Sequence, residues 1–349
     1  MKRFHCVCGK EVFFEDLSCP ACGRQLGFNP QTLQLITRPT FEQGVLWQAL
    51  NGRLLRQCAH RQHTLECNWL LDNADPNSQC VACRLTRVIP SQSIPMNVHR
   101  WRLLERAKRR LVYSLLWLGL PVVPKQVDSV NGLAFDFMED QRSNPLVKKK
   151  VVYTGHDNGV ITLNAIEADE EHRVAARIRL NEDYRTLLGH MRHESGHYYW
   201  MSLIRDSDKL WRFRHLFGDE GNYRQALDYY YMHGSVDNWQ ERHISAYASS
   251  HPWEDWAETW AHYLHMMDTM ETAMQFGALP SANLHTSDFN CLASDWQQLT
   301  VLMNSLNHSM GLGDAYPFTL TKQVMVKLRF VHQVIDSKQR SSHAWMERY

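Results

Sequence analysis

Eight of the nine cysteines of this chain lie before residue 84, and only Cys291 stands apart. That distribution limits what the front of the chain can fold into. A disulfide-stapled secreted domain spreads its cysteines through a small fold, whereas clusters at one end of a 349-residue chain call for metal. The first cluster reads Cys6-x-Cys8, then Cys19-x-x-Cys22, and each half ends in Cys-Gly (Cys8-Gly9, Cys22-Gly23). Glycine there lets backbone amides turn toward the sulfurs, the pattern of two zinc knuckles. Between them KEVFFEDLS has the makings of a short hairpin. Four thiolates around zinc stabilise a segment too small to bury a core of its own. The first knuckle is tighter than the usual C-x-x-C, which makes His5 an alternative to Cys6. Thiolates suit structural zinc, so Cys6 is preferred.

The second cluster is Cys58, Cys67, Cys80 and Cys83, with only the last pair in knuckle spacing. His60 or His63 could replace one of the looser cysteines, but four cysteines are the simpler set. The expected organisation is a zinc ribbon over 1–45, a second four-cysteine zinc-binding segment over 46–96, and a larger domain over 97–349. The ribbons either staple the fold or recognise a partner. Basic residues occur, as in NGRLLRQCAHRQH, but no aromatic-basic platform for bases accompanies them, which favours a structural role or a protein contact. Cys291 is expected to pack as a small apolar residue.

Bulk composition narrows the function further. Lys plus Arg is 38 and Asp plus Glu is 37, so no net field draws the chain to nucleic acid or an anionic membrane. With 44% hydrophobic and 21% charged residues it reads as soluble and globular. LVYSLLWLGLPVV at 111–123 is too short to span a bilayer and is broken by Pro121. The opening MKRFHCVCGK leaves no room for the apolar core of a signal peptide, so a cytoplasmic location is expected.

From Val98 onward the texture changes. NVHRWRLLERAKRRLVYSLLWLGL alternates at helical spacing, with a basic face expected in solvent and Pro121 as its stop. GLAFDFMED alternates at period two, and VVYTGHDNGVITLNAIEA is two strand-like runs around Asp157-Asn158-Gly159. Helical patterns then cover 170–205, a weaker piece through YRQALDYYYMHG, and 252–276, 291–309 and 320–337. A small sheet followed by helices is an α+β arrangement.

The chemistry concentrates in HMRHESGHYYW. His193-Glu194-Ser195-Gly196-His197 fits H-E-x-x-H, and on a helix residues four apart stack, so both imidazoles face one metal. Glu194 lies beside the first ligand, placed to take a proton from metal-bound water and pass it to a leaving amine. His190 is a rival ligand, set aside because the glutamate belongs with His193 and His197. Two histidines leave a catalytic zinc one protein ligand short. YASSHPWEDWAETWAHYLH, from Tyr247, carries Glu254, Glu258 and His262 at four-residue intervals on a second helix. Pro252 suits its first turn, with Ser250 or His251 as cap. An amphipathic helix with Trp253, Trp256 and Trp260 in a core would explain the tryptophans but not the acidic face, since buried carboxylates need partners.

These residues resemble the gluzincin metallopeptidases, and Tyr-x6-Glu-x3-Glu is similar in spacing to the anthrax lethal factor catalytic domain. The resemblance implies Glu254 as third zinc ligand, Glu258 as an outer carboxylate orienting a ligand histidine, and Tyr247 as oxyanion stabiliser. From about residue 5 to 275 the chain also resembles a bacterial family of zinc-binding metallopeptidases with an N-terminal zinc ribbon. AKRRLVYSLLWLGLP, GLAFDF, YRTLLGHMRHESGHYYW, LFGDE and HPWEDWAETWAHYLH carry that likeness. It implies a zincin-like metallopeptidase domain over 97–349, with one catalytic and two structural zincs, acting on a peptide or protein. Hydrolysis would run through a zinc-activated water with Glu194 as general base. Substrate could lie along GVITLNAIEA if that is an edge strand. Two alternatives share the residues: an isopeptidase or amidase acting on ligase-made conjugates, and a ribbon-based binding protein with the zincin domain as scaffold.

Overall fold

The structure is a computed structural model that describes residues 2–38, 46–49, 51–62, 64–180, 186–280, 284 and 288–346, apart from the side chains of 178–180 and 339–346. The chain is α+β and divides into two compact units. One comprises Met1–Trp117 with Pro121–Asp169, the other Leu118–Leu120 with Glu170–Tyr349.

In the first unit β1 (Phe4–His5) pairs antiparallel with β2 (Glu11–Val12) around the first knuckle. KEVFFEDLS therefore supplies one strand of a hairpin and not two, because the turn is the knuckle itself. Gly9 (φ 85°) and Gly23 (φ 71°) hold the left-handed conformation the two Cys-Gly steps require. A hairpin of β3 (Leu26–Asn29) and β4 (Gln34–Thr37) follows. Next come β5 (Leu46–Gln48), β6 (Leu54–Gln57) and β7 (Leu70–Asp72), an antiparallel sheet. The two cysteine-rich segments share one core: Phe28 lies 4.9 Å from Phe14 and 4.7 Å from Trp69, ring to ring. Arg61 joins them, donating to the carbonyls of Leu17 at 2.8 Å and Leu26 at 2.9 Å. Neither segment offers enough apolar surface to cover those rings alone.

The strand after the last knuckle, β8 (Thr86–Val88), is the edge of a four-stranded sheet. It runs parallel to β9 (Ala134–Met138), which is parallel in turn to β11 (Val160–Asn164), and β10 (Gly155–Asp157) completes the other edge antiparallel. This pairing places residues 97–117 and 121–169 in the same unit as the cysteine-rich segments. Asn158 and Gly159 link β10 to β11 with φ 46° and 82°, the turn that Asp-Asn-Gly favours. The expectation that GVITLNAIEA offers an edge does not hold. β11 is interior, its ladder groups taken by β9 and β10.

Helix α1 (Pro95–Trp117) corrects a second expectation, since much of its basic face is buried. Lys108 is fully buried, 2.9 Å from Glu105, and it also contacts the Thr86 hydroxyl. Arg100 grips Asp169 with Nε at 2.9 Å and Nη2 at 2.5 Å, and Arg110 meets Glu15 at 2.5 Å. Buried cations persist only when paired; Glu105, one turn away on α1, serves Lys108, and Asp169, far off in sequence, serves Arg100.

The second unit is helical. The helical pattern over 170–205 is α2 (Glu170–Leu180) and α3 (Leu187–Leu203), with 181–185 outside the described residues. Thr186 caps α3, its hydroxyl accepting from the Gly189 amide at 2.9 Å. Then follow α4 (Leu210–Phe217), which periodicity did not reveal, α5 (Tyr223–His233), α6 (Pro252–Gln275), α7 (Phe289–Ser309) and α8 (Lys322–Met346). Helix α6 is the centre, with Trp256, Trp260, Tyr263 and Met267 buried. Phe213 and Phe217 of α4 and Phe330 of α8 pack on Trp256. Pro252 takes the first turn of α6, and of the two candidate caps it is His251 that accepts the Trp253 amide. Cys291, expected to be packed, is exposed. The buried face of α7 runs through Phe289, Leu292, Ala293, Trp296 and Leu299, and position 291 falls off it. Among the described residues no helix is long and apolar enough to cross a membrane.

Candidate active site

Helices α3 and α6 cross at the Ser-Gly pair inside H-E-x-x-H. A Cβ on Gly196 would lie 2.9 Å from Ala257 Cα, so only glycine permits this approach. The Trp256 indole N–H donates to the Gly196 carbonyl at 2.8 Å, and that of Trp260 donates to the Ser195 hydroxyl at 3.1 Å. Two of the three tryptophans are thus the clamp between the helices. The third, Trp253, stands 4.2 Å from the His197 ring.

With the crossing so close, α3 presents His193 and His197 to Glu254 of α6. Glu254 Oε2 is 2.9 Å from His193 Nε2 and 3.4 Å from His197 Nε2. Ligand atoms about 2.0–2.1 Å from a tetrahedral zinc stand roughly 3.3 Å apart, so the three atoms are spaced to share one ion. Electrostatics agree. Burial opposes charge on His193, yet Glu254 and Glu258 together hold its pKa well above the ordinary value, the mark of a site that favours positive charge. Burial also works against an ionised Glu254, but the two imidazoles keep it well below the usual carboxylate range. His190 is not among the converging groups.

The surrounding residues divide the remaining polar atoms among them. Glu258 Oε1 meets His193 Nδ1 at 2.6 Å, and its Oε2 accepts from Ser245 at 2.6 Å. Tyr223, from α5, donates to Glu254 Oε1 at 2.5 Å. The Tyr247 ring lies 5.9 Å from that of His193, and burial keeps its phenol protonated, well above its ordinary pKa. Burial likewise raises the Glu194 carboxyl above the usual range. His262, a turn beyond Glu258, does not join the cluster; its Nδ1 pairs with the Tyr316 hydroxyl at 3.0 Å. Sequence reasoning missed Tyr223 and Ser245. Neither lies at helical spacing from His193, His197 or Glu254, and no periodic signal marks them.

The front-end cysteines form two further clusters of four, Cys6, Cys8, Cys19, Cys22 and Cys58, Cys67, Cys80, Cys83. In the first, Cys6–Cys22 and Cys8–Cys19 sulfurs are 3.6 and 3.7 Å apart. In the second, Cys67 lies 3.8 Å from Cys80 and 3.6 Å from Cys83. Thiolates about 2.3 Å from a tetrahedral zinc stand roughly 3.8 Å apart, far beyond a disulfide, so both sets fit zinc. His5 and His60 belong to neither cluster, and His63 lies outside the described residues.

Residues 97–334 match the family described as "Putative zinc-binding metallo-peptidase", and residues 3–94 match a zinc-ribbon domain. Similar proteins include the uncharacterized protein Rv2568c of Mycobacterium tuberculosis (strain ATCC 25618 / H37Rv) and the uncharacterized protein Mb2598c of Mycobacterium bovis (strain ATCC BAA-935 / AF2122/97). Each is 40% identical over 345 residues, covering 96% of this chain and 96% of the relative. No solved structure matches the chain. With three zinc-compatible clusters among the described residues and a match spanning 97–334, the chain belongs to the zinc-binding metallopeptidase family and bears an N-terminal zinc ribbon.

Proposed function

We propose that the protein is a zinc-dependent peptidase of the gluzincin kind, with His193, His197 and Glu254 holding the metal, Glu194 as general base and Tyr247 as oxyanion donor. The observation that carries this reading is the convergence of His193 Nε2, His197 Nε2 and Glu254 Oε2 from two crossing helices. Zinc supplies Lewis acidity, lowering the pKa of a water it holds toward about 7 and polarising the scissile carbonyl.

The chain's own groups do the rest. Glu194 takes the proton of the attacking water and returns it to the departing amine; its burial raises the carboxyl toward a pKa suited to both tasks. Glu258 accepts the Nδ1 proton of His193, which fixes the tautomer and leaves the Nε2 lone pair for the metal. Tyr247 stays protonated and donates a hydrogen bond to the tetrahedral oxyanion. The cysteine clusters serve as two structural zinc sites.

The test is incubation of metal-loaded protein with a diverse peptide library, new termini being read by mass spectrometry. Glu194→Gln is the control, and a parallel set of side-chain-linked isopeptides separates the two bond types. New termini with the parent and none with Glu194→Gln support the reading. Cleavage unchanged in Glu194→Gln refutes the assigned base, and full zinc loading with no cleavage of either set favours a binding role.

A further inference from the structure

Tyr223 plays no part in the reaction just derived, yet its hydroxyl contacts a proposed zinc ligand. Its O–H donates to Glu254 Oε1 at 2.5 Å, while Oε2 faces the two imidazoles at 2.9 and 3.4 Å. The two oxygens of this carboxylate therefore have separate tasks. A carboxylate free to rotate offers a metal one oxygen or both. A second oxygen would add to the ligands around a catalytic zinc and crowd the position it keeps for water and substrate.

We propose that Tyr223 is a positioning residue that restricts Glu254 to single-oxygen ligation and so keeps the metal's remaining position open. The inference rests on the reading of Glu254 as a ligand. The phenol is aimed by its neighbours: its ring stands edge-on to His251 at 4.9 Å and to Trp253 at 5.4 Å. His251 in turn anchors the segment that carries Tyr223. Its Nδ1 accepts the Trp253 amide at 3.1 Å, which leaves the neutral ring's proton on Nε2. That Nε2–H then donates to the Gly221 carbonyl at 3.0 Å, two residues before Tyr223. Asn222, in the left-handed conformation at φ 58°, turns the chain from this anchor into α5. One histidine thus caps the helix bearing Glu254 and ties down the residue that holds its outer oxygen. Glu258 shows the same division, with Ser245 on the oxygen that His193 leaves spare.

The experiment uses the full chain with cobalt(II) exchanged into the His193–His197–Glu254 site and zinc left in the thiolate clusters. In Tyr223→Phe the visible cobalt bands should weaken severalfold, as a tetrahedral site gains a fifth ligand, whereas Tyr247→Phe should leave them as in the parent. Zinc affinity by chelator competition supplies a cycle. Tyr223→Phe should weaken binding ~10-fold in the parent, the lower end for an outer partner of a ligand, and hardly at all in Glu254→Ala. Tyr223→Met removes the hydroxyl with a different shape and must give the same cycle, so a misfolded Phe variant does not end the test. An unchanged cobalt spectrum, or an equal loss of affinity in both backgrounds, overturns the inference. Should Glu254→Ala itself bind zinc like the parent, the ligand reading fails first. If Glu254→Ala binds weakly while Tyr223→Phe matches the parent, only the positioning role falls.

Discussion

Gly196→Ala tests the crossing on which the whole site depends. The new Cβ would lie 2.9 Å from Ala257 Cα and 3.2 Å from Trp260 Cβ and Cδ1. Carbon contacts settle at about 3.5–4.0 Å, so α3 and α6 must part by several tenths of an ångström. The obstruction is backbone and a fully buried indole, and neither can swing aside. Overpacking costs ~1–3 kcal/mol, while alanine gains ~1 kcal/mol over glycine in a helix, leaving a net loss of up to about 2 kcal/mol in the metal-free protein. The metal-loaded protein should lose more. His193 and His197 sit on one helix and Glu254 on the other, so parting them stretches the 2.9 and 3.4 Å spacings between ligand atoms. Each 1.4 kcal/mol of that strain raises the zinc Kd about tenfold, and weaker binding lowers apparent stability again. Urea unfolding with and without zinc, beside chelator competition, measures both effects. Ser195→Ala is the comparison: it leaves the Trp260 N–H without its acceptor at a cost of ~1–3 kcal/mol but does not push the helices apart. A Gly196→Ala protein with parental stability and zinc affinity would refute the reasoning.

Glu194→Gln should keep zinc while hydrolysis falls ~10²–10⁴-fold, the usual contribution of a general base, as measured by metal analysis beside peptide turnover. Glu254→Ala should lower zinc affinity more than Glu258→Ala, for which a loss of ~10–100-fold is expected; the reverse order would shift the assignment by one helical turn. Purified protein should hold close to three zinc equivalents, matching the three clusters among the described residues. A chelator should strip the His193–His197–Glu254 site first, and a thiol-reactive mercurial should release the other two. Acid should destabilise the helical unit through its buried histidines. Burial lowers the pKa of His262 to about 4, against an ordinary 6.5, and that of His265 well below 6.5, so both stay neutral when folded. As pH falls below 6.5 the unfolded chain takes up protons the folded chain refuses. Stability is therefore complete above 6.5 and declines toward pH 4, by up to ~1.4 kcal/mol per pH unit for each histidine. His262→Gln should flatten that decline in urea titrations.

What local spacing encodes, the sequence by itself determined. Cys-Gly steps at 8–9 and 22–23 dictate left-handed turns, and Asn158-Gly159 dictates a two-residue hairpin turn. Four-residue intervals align His193 with His197 and Glu254 with Glu258, because a helix repeats every 3.6 residues whatever surrounds it. Which helix would meet which was open in those intervals, and packing decided it: Gly196 against Ala257 brings the histidines to the glutamate. Tyr223 and Ser245 reach the site from segments 31 and 13 residues before their carboxylate partners, distances with no periodic meaning. The basic residues of α1 carry the same lesson. Helical spacing put Arg100 and Lys108 on a polar face and Glu105 one turn from Lys108, but only the folded unit supplied Asp169 to Arg100 and turned that face inward. In the same way β11 reads as a strand from alternation alone, whereas its interior place follows from neighbours on both sides. Periodicity is a property of one segment's backbone geometry, while burial and pairing belong to two segments at once, so only the tertiary structure could settle them.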